Sequence, residues 1–195
     1  IREALKLVGT KWNIGTFYPG FGSGGYCIPL SSKYVMLGSK NKNKLGILKE
    51  TIKTDTNINI KIARSIERQK FKKIGILGLS YKEDLKVDIL SPVIPLINYL
   101  KNKGLNCKIY DPFYSSKETK IVAGINSFDF YKDLKKFDCL IYHENHSFFK
   151  KKKKLILKNL SCKYFLDNTG FFSKDLKFFE KKSIKYKLSG TSKWD

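Results

Sequence analysis

The sequence predicts an α/β fold: a mostly parallel sheet covered by helices on both faces, preceded by a helical segment that carries a glycine-rich loop. Three observations lead there. Short apolar runs recur from about residue 72 onward, namely "KKIGILGL", "LNCKIYDP", "DCLIYH", "KYFLDNTG" and "KYKLSG". Stretches of helical spacing separate most of them, the pattern of strands joined by crossover helices. Before residue 69 no strand pattern occurs, and apolar positions recur at steps of three and four.

Taken in order, "IREALKLVG" reads as an amphipathic helix within residues 1–12, and residues 13–29 as a loop rich in glycine. The chain opens on Ile1 directly inside a helical pattern, which reads as part of a larger polypeptide. From about Ser31 to Arg68 the spacing is helical again, with Leu45, Leu48, Ile52, Ile58, Ile62 and Ile66 as apolar positions. Gly38 and Gly46 weaken its middle. The polar stretch "ERQKFKK" marks a boundary, so units of 1–68 and 69–195 are expected. In the second unit "SPVIPLINYLKNKG" is a helix with Ser91 as cap, Pro92 and Pro95 near the first turn, and Gly104 as its stop. "FYKDLKKF" is a short helix, and "HSFFKKKKKLILKNL" is a single longer one.

The net charge is +22, from 39 basic and 17 acidic residues. Such a charge raises the question of a nucleic acid partner. Only Arg2, Arg64 and Arg68 are arginines, however, and specific readers of bases favour the arginine fork. The lysines are dispersed, and the run at 150–154 continues into apolar residues at helical spacing. A solvated helix face accounts for it, leaving only unspecific attraction to polyanions. No apolar run reaches the roughly 18 residues of a membrane helix. Cys27, Cys107, Cys139 and Cys162 show no paired spacing, and with two histidines there is no zinc pattern and no metal site is expected. Cys107 and Cys139 lie in strand-like runs as small core residues. Free thiols suggest a reducing, cytoplasmic setting.

Chemistry concentrates in two stretches. "FYPGFGSGGYCIP" places Cys27 just after Gly22, Gly24 and Gly25. Glycines bring backbone N–H groups close to a phosphate or sugar, and such dipoles favour a thiolate. This is the case for a nucleophile; the alternative is a tight turn whose cysteine packs inward. "GILGLSYKED" offers Tyr81 for stacking and Lys82 for a phosphate at the carboxyl end of a strand, with a plain strand–turn as the alternative. It lacks the full three-glycine dinucleotide fingerprint. Asp111 in "IYDP" is either a ribose ligand or a turn-former, the turn being favoured. His143 and His146 receive no role, with His146 read as a helix-start residue.

Together these stretches resemble the UDP-glucose/GDP-mannose dehydrogenase family. "GTKWNIGTFYPGFGSGGYCIP" is similar to the segment around that family's catalytic cysteine, and "TKWN" with "CIP" points to the branch of UDP-N-acetylglucosamine 6-dehydrogenases and related UDP-N-acetylhexosamine enzymes. "KKIGILGLSYKED", "SPVI" and "KIYDPF" look like the start of its UDP-binding domain. The resemblance implies the helical tail of a central dimerisation domain (1–68), then a Rossmann-like UDP-binding domain (69–195). It further implies a homodimer and a UDP-sugar substrate oxidised twice at C6 with NAD, for surface polysaccharide. Cys27 would capture the aldehyde as a thiohemiacetal, and a thioester would follow. Tyr18, Gly22, Gly24, Gly25, Tyr81 and Lys82 would bind the substrate. NAD would be held mainly by a domain that these residues do not include.

Four departures from the family pattern stand out. Ser31 replaces an aspartate four residues after the cysteine, and a serine is not an anionic base for water. Ile89 or Leu90 stands where an arginine is usual. Thr169 in "DNTG" replaces a basic residue, and Tyr26 a histidine. Each lost charge-assisted bond is worth about 1.5–3 kcal/mol. The sequence therefore carries two further readings, a degenerate non-catalytic module and a polyanion binder.

Overall fold

The computed structural model describes residues 1–191 of the chain. Five strands form its centre: Lys73–Leu77 (β1), Asn106–Tyr110 (β2), Cys139–Tyr142 (β3), Tyr164–Asp167 (β4) and Lys185–Leu188 (β5). Their order is β2-β1-β3-β4-β5, and every neighbouring pair is parallel. The α/β architecture expected from the sequence is thus present. Strands β1, β3 and β4 are buried along nearly their whole length, whereas the edge strands are buried only in part. Burial on both faces explains why the central strands read as continuous apolar runs.

Side chains alternate between the two faces. Ile74, Ile76, Cys139, Ile141, Tyr164 and Leu166 share one cluster with Ile62, Ala63 and Ile66 and with Val93, Leu96, Ile97 and Leu100. Those two groups belong to Gly46–Arg68 (α3) and Val93–Asn102 (α4). Leu77, Leu140, Tyr142 and Phe165 face a cluster rich in phenylalanine, including Phe137, Phe149, Phe172 and Phe179. Full burial of one such ring contributes about 1.5–3 kcal/mol. Gly75 is required here, because a β-carbon would come 2.6 Å from the Phe137 ring.

Several expectations need correction. The first helix is Arg2–Val8 (α1), shorter than 1–12. The helical pattern from Ser31 to Arg68 is two helices, Cys27–Gly38 (α2) and α3, separated near the two glycines that weakened it. Helix α2 begins at Cys27, so the thiol stands on a helix terminus and not inside the loop. Ser91 does not cap α4: its hydroxyl donates to the Leu79 carbonyl at 2.6 Å, and Pro92 takes the cap position. Gly104 does end α4, at φ +73°, with Leu105 N–H returning to the Leu100 carbonyl at 3.1 Å.

Two helices lie outside the segments expected from the sequence. Ser116–Ala123 (α5) has a complete capping box, Ser115 with Glu118, and ends on Gly124 at φ +65°. The pattern S-x-x-E followed by glycine was a legible signal. Leu176–Lys181 (α9) lies among lysines that mask its single buried ring, Phe179. Between them, "FYKDLKKF" forms Phe130–Asp133 (α6) and a 3-10 turn. The stretch 146–160 is two helices, Ser147–Lys151 (α7) and Lys153–Asn159 (α8). The break at Lys152 sends neighbouring lysines apart: Lys152 lies over Tyr131, and Lys153 pairs with Asp175 at 2.6 Å.

Candidate functional site

The strand order reverses between β1 and β3, and open parallel sheets bind ligands in the crevice outside such a reversal. The glycine-rich loop lies across this carboxyl edge. The Phe21 ring is fully buried, 5.5 Å from the ring of His143, which follows β3. Gly25 N–H donates to the Ile89 carbonyl at 2.8 Å. A β-carbon on Gly24 would overlap the Tyr81 side chain, and one on Gly25 would lie 2.8 Å from the Tyr81 hydroxyl. Gly20 sits against Asn168 beyond β4, and Pro19 against Gly190 beyond β5. Glycine is what allows loop backbone and sheet edge to touch at Gly24 and Gly25.

On its other side the loop faces α3. Ser23 N–H donates to Asp55 Oδ1 at 2.8 Å. Gly22 has φ +134°, a conformation that side chains rarely adopt. Tyr18, Gly20, Gly22 and Ser23 line one wall of a cavity of about 740 Å³, and Glu50, Thr51, Thr54 and Asp55 line the opposite wall. That volume suits a nucleotide-sized ligand. A second cavity of about 610 Å³ lies between α2, α3 and α4, where the buried Asn59 Oδ1 has no hydrogen-bond partner among the described residues.

The residues singled out in the sequence therefore fall into two groups. Tyr18 and Gly22 share the α3 cavity, whereas Gly24, Gly25 and Tyr81 pack together at the sheet edge. Lys82 follows Tyr81, is exposed, and forms no hydrogen bond or ion pair among the described residues. Cys27 is exposed on the first turn of α2, and Ser31 lies one helical turn further on. The other three cysteines are buried; burial pushes Cys107 and Cys162 up to about 12 and Cys139 well above its usual value. An aromatic disulfide reagent at pH 8 should accordingly react rapidly with one thiol per native chain. Cys27→Ser should abolish that phase, and all remaining thiols should react only in denaturant. Fast reaction of two or more native thiols would contradict this arrangement.

The loop after β1 is fixed by residues that the sequence left in minor roles. Asp111 is buried; its Oδ2 accepts from Leu79 N–H at 2.7 Å and Ser80 N–H at 3.1 Å, and its Oδ1 from Phe113 N–H at 2.9 Å. The favoured reading of Asp111 as a turn-former describes this better than a ribose ligand. Burial opposes its ionisation, but hydrogen bonds from His146 and the backbone outweigh that and hold its pKa below the usual value. His146 does stand at the start of α7, yet its ring is fully buried, with Nε2 3.1 Å from Asp111 Oδ2. His143 lies 3.2 Å from the Gly78 carbonyl, and burial lowers its pKa to about 4.

Around "DNTG", Asp167 is fully buried and accepts from Gly170 N–H at 2.8 Å, Phe172 N–H at 2.9 Å and the Tyr186 hydroxyl at 2.9 Å. Thr169 turns its hydroxyl to the same carboxylate at 3.1 Å. A cation is nevertheless present at this place, supplied by α1. Arg2 donates to the Ser189 carbonyl at 2.7 Å and lies 4.7 Å over the Tyr18 ring, and a β-carbon on Gly170 would sit 2.9 Å from its Nη1. Nothing in the sequence pattern around Arg2 signalled this contact. Part of the lysine run is likewise engaged and not simply solvated: Lys150 pairs with Glu83 at 2.6 Å.

The dinucleotide implied by the resemblance does not fit the described residues. No helix follows β1 directly to receive a pyrophosphate, since α4 begins only at Val93. Among the described residues, no cluster of three or more histidines, cysteines or carboxylates could hold a metal ion.

Residues 75–174 match the model of the "UDP-glucose/GDP-mannose dehydrogenase family, UDP binding domain". The chain is 29% identical over 186 residues to protein CapL of Staphylococcus aureus, covering 89% of this chain and 43% of CapL. It is 28% identical over 169 residues to a UDP-N-acetyl-D-mannosamine dehydrogenase of Methanococcus aeolicus, covering 82% of this chain and 36% of that protein. The structure of a UDP-D-ManNAc dehydrogenase from Pyrococcus horikoshii superposes with a TM-score of 0.69 at 20% identity, over 96% of this chain and 43% of that one. The chain thus spans less than half the length of these relatives. With the family model covering just over half of the residues, on the sheet whose carboxyl edge carries the glycine loop, this chain belongs to the UDP-glucose/GDP-mannose dehydrogenase family.

Proposed function

We propose that this chain is the part of a nucleotide-sugar 6-dehydrogenase that binds a UDP-sugar and supplies the thiol that holds its C6 carbon. One observation carries the reading. A glycine loop lies over the strand-order reversal of a sheet of this family, with an exposed thiol, Cys27, at its end and a cation unpaired among the described residues, Lys82, beside its contact with Tyr81. Lys82 and the loop N–H groups other than those of Ser23 and Gly25 would hold the diphosphate, and Tyr18 and Gly22 the nucleoside end in the α3 cavity. Cys27 sulfur would add to the C6 aldehyde carbon while the carbonyl oxygen takes up a proton, giving a thiohemiacetal. That adduct is the species whose oxidation yields a thioester, which water cleaves to the uronate. NAD, the hydride acceptor the resemblance implies, has no cradle among these residues.

The name of the Methanococcus aeolicus relative supports a UDP-N-acetylhexosamine over a plain UDP-hexose, and a place in surface polysaccharide formation is what the family resemblance implies. Helix α2 has no buried residue and exposes Ile28, Tyr34, Val35 and Leu37, which supports an apolar contact such as a homodimer would make. Four free thiols fit a reducing, cytoplasmic compartment, and no described helix is long and apolar enough to cross a membrane.

A second reading, a non-catalytic module that keeps the fold, is favoured by Ser31 beside Cys27 in place of an anionic base. Calorimetric titration of UDP-N-acetylglucosamine into the chain separates the two. Saturable binding that survives Cys27→Ser is expected if the nucleotide pocket is intact. Absence of binding at millimolar ligand would remove the substrate-site reading and leave the scaffold.

A further inference from the structure

We infer that His146 is a positioning residue for the substrate site, setting the place of Tyr81 and Lys82 by tying both ends of their loop to one buried ring. The inference rests on the reading of Lys82 as a nucleotide ligand. The geometry is specific. Ser80 N–H is bound by Asp111 Oδ2 at 3.1 Å, and Asp84 N–H by His146 Nδ1 at 2.8 Å. Tyr81, Lys82 and Glu83 lie between those two points, where Tyr81 N–H also donates to the Val87 carbonyl at 3.0 Å and Glu83 pairs with Lys150. Because Nδ1 accepts from Asp84, Nε2 is left to donate to Asp111, so one imidazole joins both anchors.

The ring is fully buried and packs edge-on to Phe113 at 5.1 Å, so it has little freedom to turn. Asp84 also needs the restraint. Its φ of +56° is a left-handed conformation that a non-glycine residue keeps only where its surroundings hold it. Its carboxylate accepts from Ser147 N–H at 2.7 Å, at the start of α7, which fixes the same turn from outside. His146 fixes it from within.

Two substitutions separate the two bonds. In His146→Gln an amide nitrogen can reach Asp111, but Asp84 N–H loses its acceptor. In His146→Asn a carbonyl oxygen can stand near the place of Nδ1, and Asp111 loses its donor. The probe is UDP, titrated into the 195-residue chain. His146→Gln and Lys82→Ala are each expected to weaken binding about tenfold, and the double variant no more than about twofold further, because residues acting through one contact are not additive. His146→Asn should stay within about threefold of the unaltered chain. Full additivity, about a hundredfold for the double variant, would overturn the inference, as would unchanged affinity in His146→Gln.

Amide exchange measured without nucleotide isolates the positioning itself. His146→Gln should speed exchange at Tyr81–Asp84 about tenfold and leave Ile74–Leu77 unchanged. A uniform rise across the sheet would mean that His146 merely stabilises the fold, and would sink the proposal whatever the affinities. If the unaltered chain takes up no UDP, the substrate reading has failed, and exchange alone decides whether His146 positions the loop.

Discussion

Replacing Asp111 by alanine is expected to destabilise the chain by about 3–5 kcal/mol, read from the midpoint of urea unfolding. This side chain joins the loops that follow β1, β2 and β3. Its carboxylate takes N–H groups from Leu79, Ser80 and Phe113 and lies 3.1 Å from His146 Nε2. With alanine the Leu79 and Ser80 N–H groups and His146 Nε2 stay buried without this acceptor, and each unsatisfied group costs about 1–3 kcal/mol. Asp111→Asn should recover only part of the loss, because an amide N–H would face other N–H donors.

The sign of the pH effect follows from the lowered pKa of Asp111. Its stabilising contribution is complete above the unfolded carboxylate value near 4 and is lost as pH falls through the lower folded value. The difference between native chain and Asp111→Ala should therefore shrink only in strong acid. A difference under about 1 kcal/mol at pH 7, or one that grows on acidification, would rule out this account.

The second large effect lies at milder pH and belongs to His143. Folded, it titrates near 4; unfolded, it titrates near 6.5. Between those values the unfolded chain binds a proton that the folded chain refuses. Stability should fall by up to about 1.4 kcal/mol per pH unit from pH 6.5 toward 4, then level off, for a total of about 3 kcal/mol. His143→Asn keeps an N–H near the Gly78 carbonyl and cannot titrate. Its stability at pH 7 is expected to be lower, from lost packing against Phe21, but the part of the slope due to His143 should vanish. Urea unfolding of both chains from pH 7 to 4 checks this; identical slopes would refute it.

These two residues mark where sequence reasoning stopped. The strands were legible because each central run is buried on both faces and shows it in composition. Helix α4 was legible through Pro92 and Gly104. Helix α9 was not, because only Phe179 among its six residues is fully buried and lysines dilute the pattern. The division of 146–160 into two helices, with Lys152 over Tyr131 and Lys153 beside Asp175, brings together residues far apart along the chain. Local propensity carries no record of such partners.

The same contrast holds for the site. Glycine spacing and a thiol after it are local chemistry, and so were Lys82 and Tyr81 beyond a strand end. By itself the sequence determined the alternation of strands and helices, the glycine loop with a thiol at its end, and the likeness to a family of nucleotide-sugar dehydrogenases. The tertiary structure alone decided that Gly24 and Gly25 rest on Tyr81, that Arg2 brings a cation to the edge of "DNTG", and that Asp111 and His146 hold one loop between them. The physical reason is distance along the chain. Hydrophobic period and turn chemistry act within a few residues, whereas a buried carboxylate and imidazole meet across 35 positions, and only the closed fold brings them within 3.1 Å.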